Sequence, residues 1–401
     1  MARPAKKLEV LVLNPIAQVG LKRLPAERFV VVKEAKSPDV ILVRSADMHA
    51  MKFDAGLKAV GRAGAGVNNI PVKALSRLGV PVFNAPGANA NAVKELVVAG
   101  LLIAARNLGP ALDFVRNLNL KDPELEKKVE AGKKAYAGVE LPGHTLGVIG
   151  LGKIGSLVAD AGIRLGMHVV GYDPEITVEA AWSLPSQVRK AHSLDELLKA
   201  SDFVTLHVPL VEKTRHLVNA RNLRQLKPAA VLLNFSREGV VDDAAALAAL
   251  AEKKLRGYVT DFPSAELIGR PGVVALPHLG ASTSEAEDNC AVMVCDQVAA
   301  YLADGSMENA VNFPNAQMPR ESPYRLAIAN ANVPNMLARI SQAMGGRKIN
   351  IHNMLNKSKG EMAYTLVDVD SPVPEAALEE LRAIDGVLAV RYLPVEGQAG
   401  S

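Results

Sequence analysis

Short apolar runs alternate with polar, glycine- and proline-containing stretches along the first part of this 401-residue chain. The runs consist mainly of Val, Leu and Ile, and their spacing suits parallel strands joined by helical crossovers. A longer apolar stretch over 90–106 predicts a helix. We therefore expect a small α/β domain with strands over 8–13, 30–32, 40–43, 57–60 and 80–83.

A second series of apolar runs extends from residue 147 to residue 276. Each run is apolar throughout, as is typical of a parallel sheet that is covered on both faces. Polar residues stand at the ends of these runs, where doubly wound sheets bind their ligands. The predicted strands are 147–149, 169–172, 203–207, 230–234, 257–260 and 273–276, and the polar residues are Asp173, His207, Asn234 to Arg237, Asp261 and His278.

The last part of the chain has a different order of elements. A helix over 285–302 leads into a stretch over 309–323 that is rich in Asn and Pro and that we interpret as a linker. The predicted elements beyond it are a strand over 324–331, a helix over 335–345, a hairpin of 349–356 and 361–370, a helix over 374–384 and a strand over 387–393. This βαββαβ order predicts a ferredoxin-like sandwich.

Composition narrows the class of protein. A net charge of +4 is small for this length and gives no ground for nucleic-acid binding. The apolar core of the helix, 96–105, is too short to span a bilayer, and the basic start of the chain lacks the apolar stretch of a signal peptide. Cys290 and Cys295 indicate reduced thiols, so we expect a cytoplasmic protein, and the histidines show no metal-ligand spacing.

Three glycines follow the run over 147–149, and an acid ends the next run. Gly150 permits a tight turn, Gly152 lets the backbone approach a pyrophosphate, and Gly155 lets the helix pack closely. Asp173 stands 23 residues after Gly150 (173 − 150) and can accept hydrogen bonds from a ribose, and 174–176 contain no Arg or Lys. The pattern favours NAD over NADP, although a glycine turn alone also serves ordinary packing.

Arg237, Glu266 and His278 lie at or just past strand ends of the same sheet. Oxidation of a 2-hydroxy acid needs a cation for the carboxylate, a group that exchanges a proton, and a group that tunes it. Each residue also has an ordinary interpretation, as a solvated charge, a loop residue or a packing residue. Their joint placement in the unit with the glycine turn favours a catalytic role.

Several segments carry the motifs of a known family. They are 201–210, 234–242 and 277–283, with further support from 61–69 and 311–314. On these motifs the chain resembles the D-isomer-specific 2-hydroxyacid dehydrogenases, and within them the branch that acts on 3-phosphoglycerate and ends in an ACT regulatory domain. The resemblance implies a flavodoxin-like substrate domain of 1–93 and 280–314, a doubly wound NAD-binding domain of 94–279, and an ACT domain of 322–396.

The resemblance also implies a role for each candidate residue. His278 would accept the hydroxyl proton, Arg237 would hold the carboxylate, and Glu266 would support His278, as 3-phosphoglycerate is oxidised for serine synthesis. Residues expected to bind NAD are Gly150, Gly152, Lys153, Ile154, Gly155, Asp173, His207, Val208, Pro209, Phe235, Ser236, Asp261, Gly280 and Ala281. Residues expected to bind substrate are Arg44, Ser45, Arg62, Gly64, Ala65 and Gly66, the two arginines for the phosphate.

The chain departs from the family pattern in two places. The loop over 261–267 differs in sequence, although an acid still falls five residues after Asp261. In the tail, Asn330 stands where the family pattern has His, while Asn332 and Asn350 match it. These three residues form the expected effector site for L-serine. The alternative is a tail that only dimerises by sheet pairing.

Two further questions stay open in the sequence. The substrate could be another 2-hydroxy or 2-oxo acid, such as glyoxylate or hydroxypyruvate, or the protein could be an NAD-binding co-regulator of transcription. The family forms dimers, often doubled to tetramers, and the apolar faces of 96–105 and 291–294 are compatible with burial in such a homo-oligomer.

Overall fold

The computed structural model describes residues 6–395, which form two compact units. One unit comprises 6–89 and 284–395, and the other comprises 90–283. The chain passes between them at 89/90 and 283/284, four residues from the expected boundaries at 93/94 and 279/280. Residue 396, the expected end of the ACT domain, lies outside the described residues.

The first unit begins with a five-stranded parallel sheet of order β2-β1-β3-β4-β5, which is the flavodoxin-like order. Two short helices accompany it, α1 (Gln18–Leu21) and α2 (Val72–Arg77). Its strands are β1 (Leu8–Val12), β2 (Phe29–Val32), β3 (Val40–Val43), β4 (Ala59–Arg62) and β5 (Val82–Phe83).

The expectation of helical crossovers throughout this sheet is wrong for two of its connections. Only seven residues, 33–39, join β2 to β3, which is too few for a helix with its turns. The connection from β3 to β4 consists of turns, because Asp47 and Asp54 each accept a hydrogen bond from the backbone N–H two residues later, at His49 and Gly56.

The second unit is a doubly wound sheet of seven parallel strands in the order β12-β11-β10-β9-β6-β7-β8. The strands are β6 (Thr145–Ile149), β7 (His168–Tyr172), β8 (Arg189–Lys190), β9 (Phe203–Leu206), β10 (Ala230–Asn234), β11 (Leu255–Thr260) and β12 (Val273–Ala275). All six predicted strands are present, and only the two-residue β8 was not expected. The strand order reverses between β6 and β9, which makes this pair the topological switch point.

Eight helices accompany this sheet among the described residues. They are α3 (Ala90–Ala105), α4 (Leu108–Arg116), α5 (Leu125–Gly132), α6 (Lys153–Arg164), α7 (Val178–Trp182), α8 (Leu194–Ala200), α9 (Ala220–Leu223) and α10 (Asp243–Ala251). Helix α3 buries Val97, Leu101 and Ala105 in the core of the unit. Within residues 6–395 no single helix is apolar over a membrane's thickness, and only the pair α3 and α4, bent by 69°, meets that test of length and composition.

The chain then returns to the first unit through α11 (Ser284–Asp304). Glycines allow this helix to pack closely: a Cβ on Gly20 of α1 would be 2.5 Å from Ala291, and one on Gly61 of β4 would be 2.8 Å from Val294. Within the face of 291–294, which is expected to serve an oligomer, Ala291 and Val294 are already buried inside the unit, and Val292 and Met293 are half-buried.

The stretch over 309–323 is not the loose linker that its Asn and Pro content predicts. Phe313, Ala316 and Met318 are buried in the core of the first unit. Asn312 extends the pairing at β5, since its Oδ1 accepts from the N–H of Val82 at 2.9 Å and its Nδ2 donates to the carbonyl of Val80 at 2.9 Å. Apolar side chains spaced through the polar stretch hold it in place.

The C-terminal part is a ferredoxin-like βαββαβ sandwich, as predicted. Its antiparallel sheet has the order β14-β15-β13-β16. The elements are β13 (Tyr324–Ala331), α12 (Met336–Gly346), β14 (Ile351–Lys359), β15 (Met362–Val369), α13 (Glu375–Arg382) and β16 (Val387–Pro394). Both helices pack on one face of the sheet, and the other face packs on the end of α11.

A fully buried ion pair ties this sandwich to the rest of its unit. Arg325 Nε lies 2.6 Å from Asp368 Oδ1, and both side chains have no solvent exposure. The guanidinium also donates to the carbonyls of Asp304, Met318 and Pro319 at 2.9 to 3.2 Å. The sandwich is therefore part of the first unit, although the sequence pattern presents it as a third, separate one.

Candidate active site

The turn from β6 to α6 needs glycine at two positions. Gly150 has a φ of +87°, and a Cβ there would lie 2.5 Å from the carbonyl oxygen of His207. A Cβ on Gly155 would lie 1.9 Å from the carbonyl oxygen of Gly150. Gly152 differs, because a Cβ there would meet nothing within 4 Å. Open space therefore lies in front of the first N–H groups of α6, at Lys153 and Ile154, which form the positive end of the helix dipole.

Asp173, directly after β7, holds this turn in place. Its Oδ2 accepts from the N–H of Leu151 at 2.9 Å, and its Oδ1 accepts from the N–H of Glu175 at 3.0 Å. A cavity of about 340 Å³ extends from the glycine turn past Asp173 to the start of α7. The sequence next to Asp173 indicates that only negative charge lies beside this cavity. The structure adds a positive charge, because Lys213 from a distant loop pairs with Glu175 at 3.2 Å.

His207 follows β9 at the switch point and is a neutral group. Burial lowers the pKa of His207 to about 3. Its Nε2 is 2.9 Å from the hydroxyl of Thr205, and its Nδ1 has no hydrogen-bond partner. The side chain can therefore position a neighbour but cannot carry charge near neutral pH. Val208 and Pro209 continue the same loop.

The loop after β10 is tied together by Asn234, which is 2% exposed. Its Oδ1 accepts from both the N–H and the hydroxyl of Ser236, and its Nδ2 donates to the carbonyl of Arg237 at 3.0 Å. The Arg237 side chain is exposed, with Nη1 on the Ser236 carbonyl at 2.6 Å. The ring of Phe235 is buried next to Gly100, where an added Cβ would lie 2.8 Å from it. Only the backbone of Phe235 is therefore available to a ligand at this loop.

Asp261 is a buried carboxylate at the end of β11, and its Oδ1 has no hydrogen-bond partner. Burial raises the pKa of Asp261 to about 6, although the N–H of Gly280 and the charge of Arg237 oppose the rise. A buried oxygen without a partner is uncommon in a folded protein, and a ligand that donates a hydrogen bond is one way to satisfy it. Gly280 is buried beside it, and Ala281 follows in the same turn.

Phe262 connects two of the three catalytic candidates and was not singled out in the sequence. Its ring centroid is 4.4 Å from that of His278, with an interplanar angle of 44°. The guanidinium carbon of Arg237 lies 5.9 Å from the same ring, at the outer range of a cation–π contact. The only sequence signal was an aromatic residue directly after a strand-end acid.

Glu266 lies in an acidic environment. It borders a cavity of about 470 Å³ together with Glu238 and Asp243, and its charge contributes to the raised pKa of Asp243, which is due mainly to burial. Arg215 and His216 border the same cavity. The partnership of Glu266 with His278 stays a prediction.

In the first unit, the ends of β3 and β4 bring two arginines together. Asn14 Oδ1 accepts from the N–H groups of Arg44, Ser45 and Ala46 at 3.3, 3.1 and 2.8 Å, and Arg62 Nε donates to the Arg44 carbonyl at 3.1 Å. The Arg44 guanidinium also pairs with a carboxylate of α11, that of Glu287.

The glycine loop after β4 offers backbone donors. Gly64 is predicted to bind the substrate. Its N–H, however, already donates to the Arg62 carbonyl at 2.8 Å, so this group is not available to a ligand. For Ala65 and Gly66 the described residues provide no acceptor, which leaves two N–H groups for an anion.

The βαββαβ sandwich contains a cavity of about 360 Å³ bordered by asparagines. Asn330 and Asn332 border it as predicted, and Asn335 and Asn356 join them. Asn350 does not belong to this group, because its Nδ2 donates to Asp370 Oδ2 at 2.6 Å instead. Across residues 6–395, no group of three or more His, Cys, Asp or Glu side chains could hold a metal ion.

Comparison with known proteins identifies relatives for this arrangement. A family model for the NAD-binding domain of D-isomer-specific 2-hydroxyacid dehydrogenases matches residues 108–280. A D-3-phosphoglycerate dehydrogenase of Methanocaldococcus jannaschii is 36% identical over 343 residues, which cover 80% of this chain but only 63% of that protein. One from Escherichia coli is 33% identical over 353 residues, covering 84% of this chain and 82% of that protein. Apo D-mandelate dehydrogenase of Rhodotorula graminis matches 76% of this chain and 98% of its own, with a TM-score of 0.65 and 24% identity.

Proposed function

Because the chain belongs to the D-isomer-specific 2-hydroxyacid dehydrogenase family, we propose that it oxidises 3-phospho-D-glycerate to 3-phosphohydroxypyruvate with NAD. Two relatives, 36% and 33% identical to this chain, are named as D-3-phosphoglycerate dehydrogenases. This oxidation is the first step of L-serine synthesis. The observation that carries the proposal is the set of strand-end residues around one glycine turn, within a chain related to these enzymes over most of its length.

The residues of the second unit fit NAD. The open space at Gly152 and the N-terminus of α6 suit a pyrophosphate, and Asp173 keeps lone pairs for a ribose after binding two backbone N–H groups. The unpaired Oδ1 of Asp261 suits the N–H₂ of a carboxamide. NAD held by these residues would supply the hydride acceptor for the carbon that carries the substrate hydroxyl.

The chain's own residues handle the carboxylate and the proton. Arg237 presents a planar guanidinium that can hold the substrate carboxylate with two hydrogen bonds. His278 takes the hydroxyl proton as the C–H electron pair leaves, so the alcohol becomes a carbonyl and the imidazole becomes cationic. Glu266 stabilises that cation. Phe262 holds the imidazole and the guanidinium on one ring.

Residues of the first unit bind the anionic groups of the substrate. Arg44 and Arg62 hold the phosphate, and the free N–H groups of Ala65 and Gly66 hold the carboxylate. The hydrogen bond from Arg62 Nε to the Arg44 carbonyl supports the first assignment, because it brings two arginine residues to one edge and guanidiniums bind phosphate well.

Steady-state kinetics test this proposal. We expect oxidation of 3-phosphoglycerate with NAD, which His278→Gln abolishes, while Arg237→Ala raises KM and lowers kcat. Absence of turnover with 3-phosphoglycerate, together with rapid reduction of unphosphorylated 2-oxo acids, would assign a different substrate. NAD binding without hydride transfer to any of these acids would instead favour a co-regulator.

The βαββαβ sandwich is proposed to be an ACT regulatory domain that binds L-serine in the asparagine-bordered cavity. Amide groups at Asn330, Asn332 and Asn356 can bind both the ammonium and the carboxylate of an amino acid. Calorimetric titration with L-serine should give a Kd that Asn332→Ala weakens. If the titration gives no heat of binding and L-serine leaves the enzymatic activity unchanged, the sandwich has only a structural role.

A homodimer is proposed through the second unit. Helix α4 has no buried residue, and it exposes Leu108, Leu112 and Val115 at 41% to 56%. An apolar helix face of this kind marks an association surface. Light scattering should give a multiple of the 42.5 kDa chain mass, and Leu112→Glu should lower it. A monomeric wild-type protein would contradict the proposal.

A further inference from the structure

Arg44 and Arg62 form an edge of the first unit that we call the arginine edge, and one acidic side chain there has no place in the proposed function. Glu287 lies in the first turn of α11, and its Oε1 is 2.6 Å from Nη2 of Arg44. The two side chains are 42% and 38% exposed, so both charges act at a surface that a ligand can reach. We infer that Glu287 is a specificity-determining residue, which competes with the substrate phosphate for Arg44.

The position of Glu287 is set by the buried face of its helix. Cys290, Ala291 and Val294 follow on that face and are buried against the sheet. The close approach at Gly61 leaves no room for the helix to shift toward the strands. The backbone of Glu287 is therefore held near the strand ends by packing, and the ion pair with Arg44 follows from where the helix lies.

The local charge is the sum of three groups. Arg44 and Arg62 are joined by the hydrogen bond from Arg62 Nε to the Arg44 carbonyl, and Glu287 offsets one of their two charges. The same three groups act together on the thiol of Cys290: burial raises the pKa of Cys290, the two arginines oppose the rise, and Glu287 adds to it. The carboxylate of Glu287 thus weakens the attraction of this edge for an anion.

This arrangement affects phosphorylated and unphosphorylated substrates differently. A phosphate near this edge carries close to two negative charges, so it must displace or repel Glu287 to reach Arg44. A hydroxyl in the same place carries no charge and meets no such competition. This inference rests on the proposed function, since it takes the arginine edge to be the phosphate site.

The test is Glu287→Gln, which keeps the shape of the side chain and removes its charge. Reduction of 3-phosphohydroxypyruvate is compared with reduction of hydroxypyruvate, because the two substrates differ only by the phosphate. We expect KM for the phosphorylated substrate to fall by about three- to tenfold at low ionic strength, and KM for hydroxypyruvate to change by less than about twofold. The gain should shrink as salt screens the charges.

Glu285→Gln is the matched control. Glu285 lies in the same helical turn and contacts the hydroxyl of Ser284, so its substitution makes the same change in net charge away from Arg44. We expect the Glu285→Gln variant to keep the wild-type ratio of KM values. An equal shift in both variants would mean that net charge alone is responsible and would overturn the inference.

Two other results would also overturn it. An unchanged KM ratio in Glu287→Gln would mean that the carboxylate does not compete, and a raised KM would mean that Glu287 only orients Arg44. If the wild-type protein reduces neither substrate, the proposed function fails, and the inference is then decided by calorimetric titration with inorganic phosphate. Tighter phosphate binding by Glu287→Gln than by Glu285→Gln supports it, and equal binding refutes it.

Discussion

The buried carboxylate of Asp261 predicts a pH dependence of cofactor binding that starts well above the usual range for an aspartate. Its pKa is raised to about 6 by burial, and the ionised form is the stronger acceptor for a carboxamide N–H₂. Acidification therefore removes the acceptor, and NADH affinity should fall as the pH drops below the pKa. At about pH 5 only about a tenth of the carboxyl is ionised, so Kd should rise by at most about elevenfold.

Energy transfer from Trp182 to bound NADH provides the assay. Trp182 is the only tryptophan of the chain, and it ends the five-residue helix α7, whose first turn borders the cavity beside Asp173. Titrations between about pH 7.5 and about pH 5 give Kd without any turnover. Asp261→Asn is the control, because an amide of the same shape cannot ionise and should give a Kd that varies little over this range. A wild-type Kd that stays constant, or an equal pH dependence in the variant, would refute the reasoning.

Other substitutions test the site and the fold. Phe262→Leu should lower kcat about five- to tenfold while Phe262→Tyr stays near wild type, because the ring holds both catalytic candidates; equal loss in both variants would contradict this. Gly155→Ala should lower the melting temperature, because its Cβ would meet backbone at 1.9 Å, whereas Gly152→Ala should keep the melting temperature and weaken NADH binding. Arg325→Met should destabilise the sandwich by about 3–5 kcal/mol in urea denaturation, because Asp368 stays buried without its partner, and Asp368→Leu added to it should recover part of the loss. A smaller loss in the single than in the double variant would contradict that account.

Predictions that rest on local geometry agree with the structure. The tight turn at Gly150 has the positive φ that its glycine indicates, and the runs of apolar residues in the second unit are all strands of one parallel sheet. The βαββαβ order of the tail is also present. Such features depend on residues within a few positions of one another, so a single sequence contains the information.

Predictions that depended on the neighbours of a side chain agree less well. Asn350 matches a family position but pairs with Asp370, and Asn356 borders the cavity in its place. The polar stretch over 309–323 packs into the core through apolar residues too widely spaced to form a periodic pattern. The ring of Phe262 acquires its role only because two other strand ends lie beside it.

The sequence by itself determined the order of elements, the glycine turn and the residue types available at each strand end. The tertiary structure alone decided which of those groups meet. Arg44 and Glu287 are 243 residues apart (287 − 44), and their ion pair exists because Gly20 in α1 and Gly61 in β4 let α11 pack closely against both elements. The separation of Arg325 from Asp368 is 43 residues, and only the strand order buries their charges together. Contacts of this kind depend on how close the elements pack and on which strands are neighbours, and local sequence rules contain neither quantity.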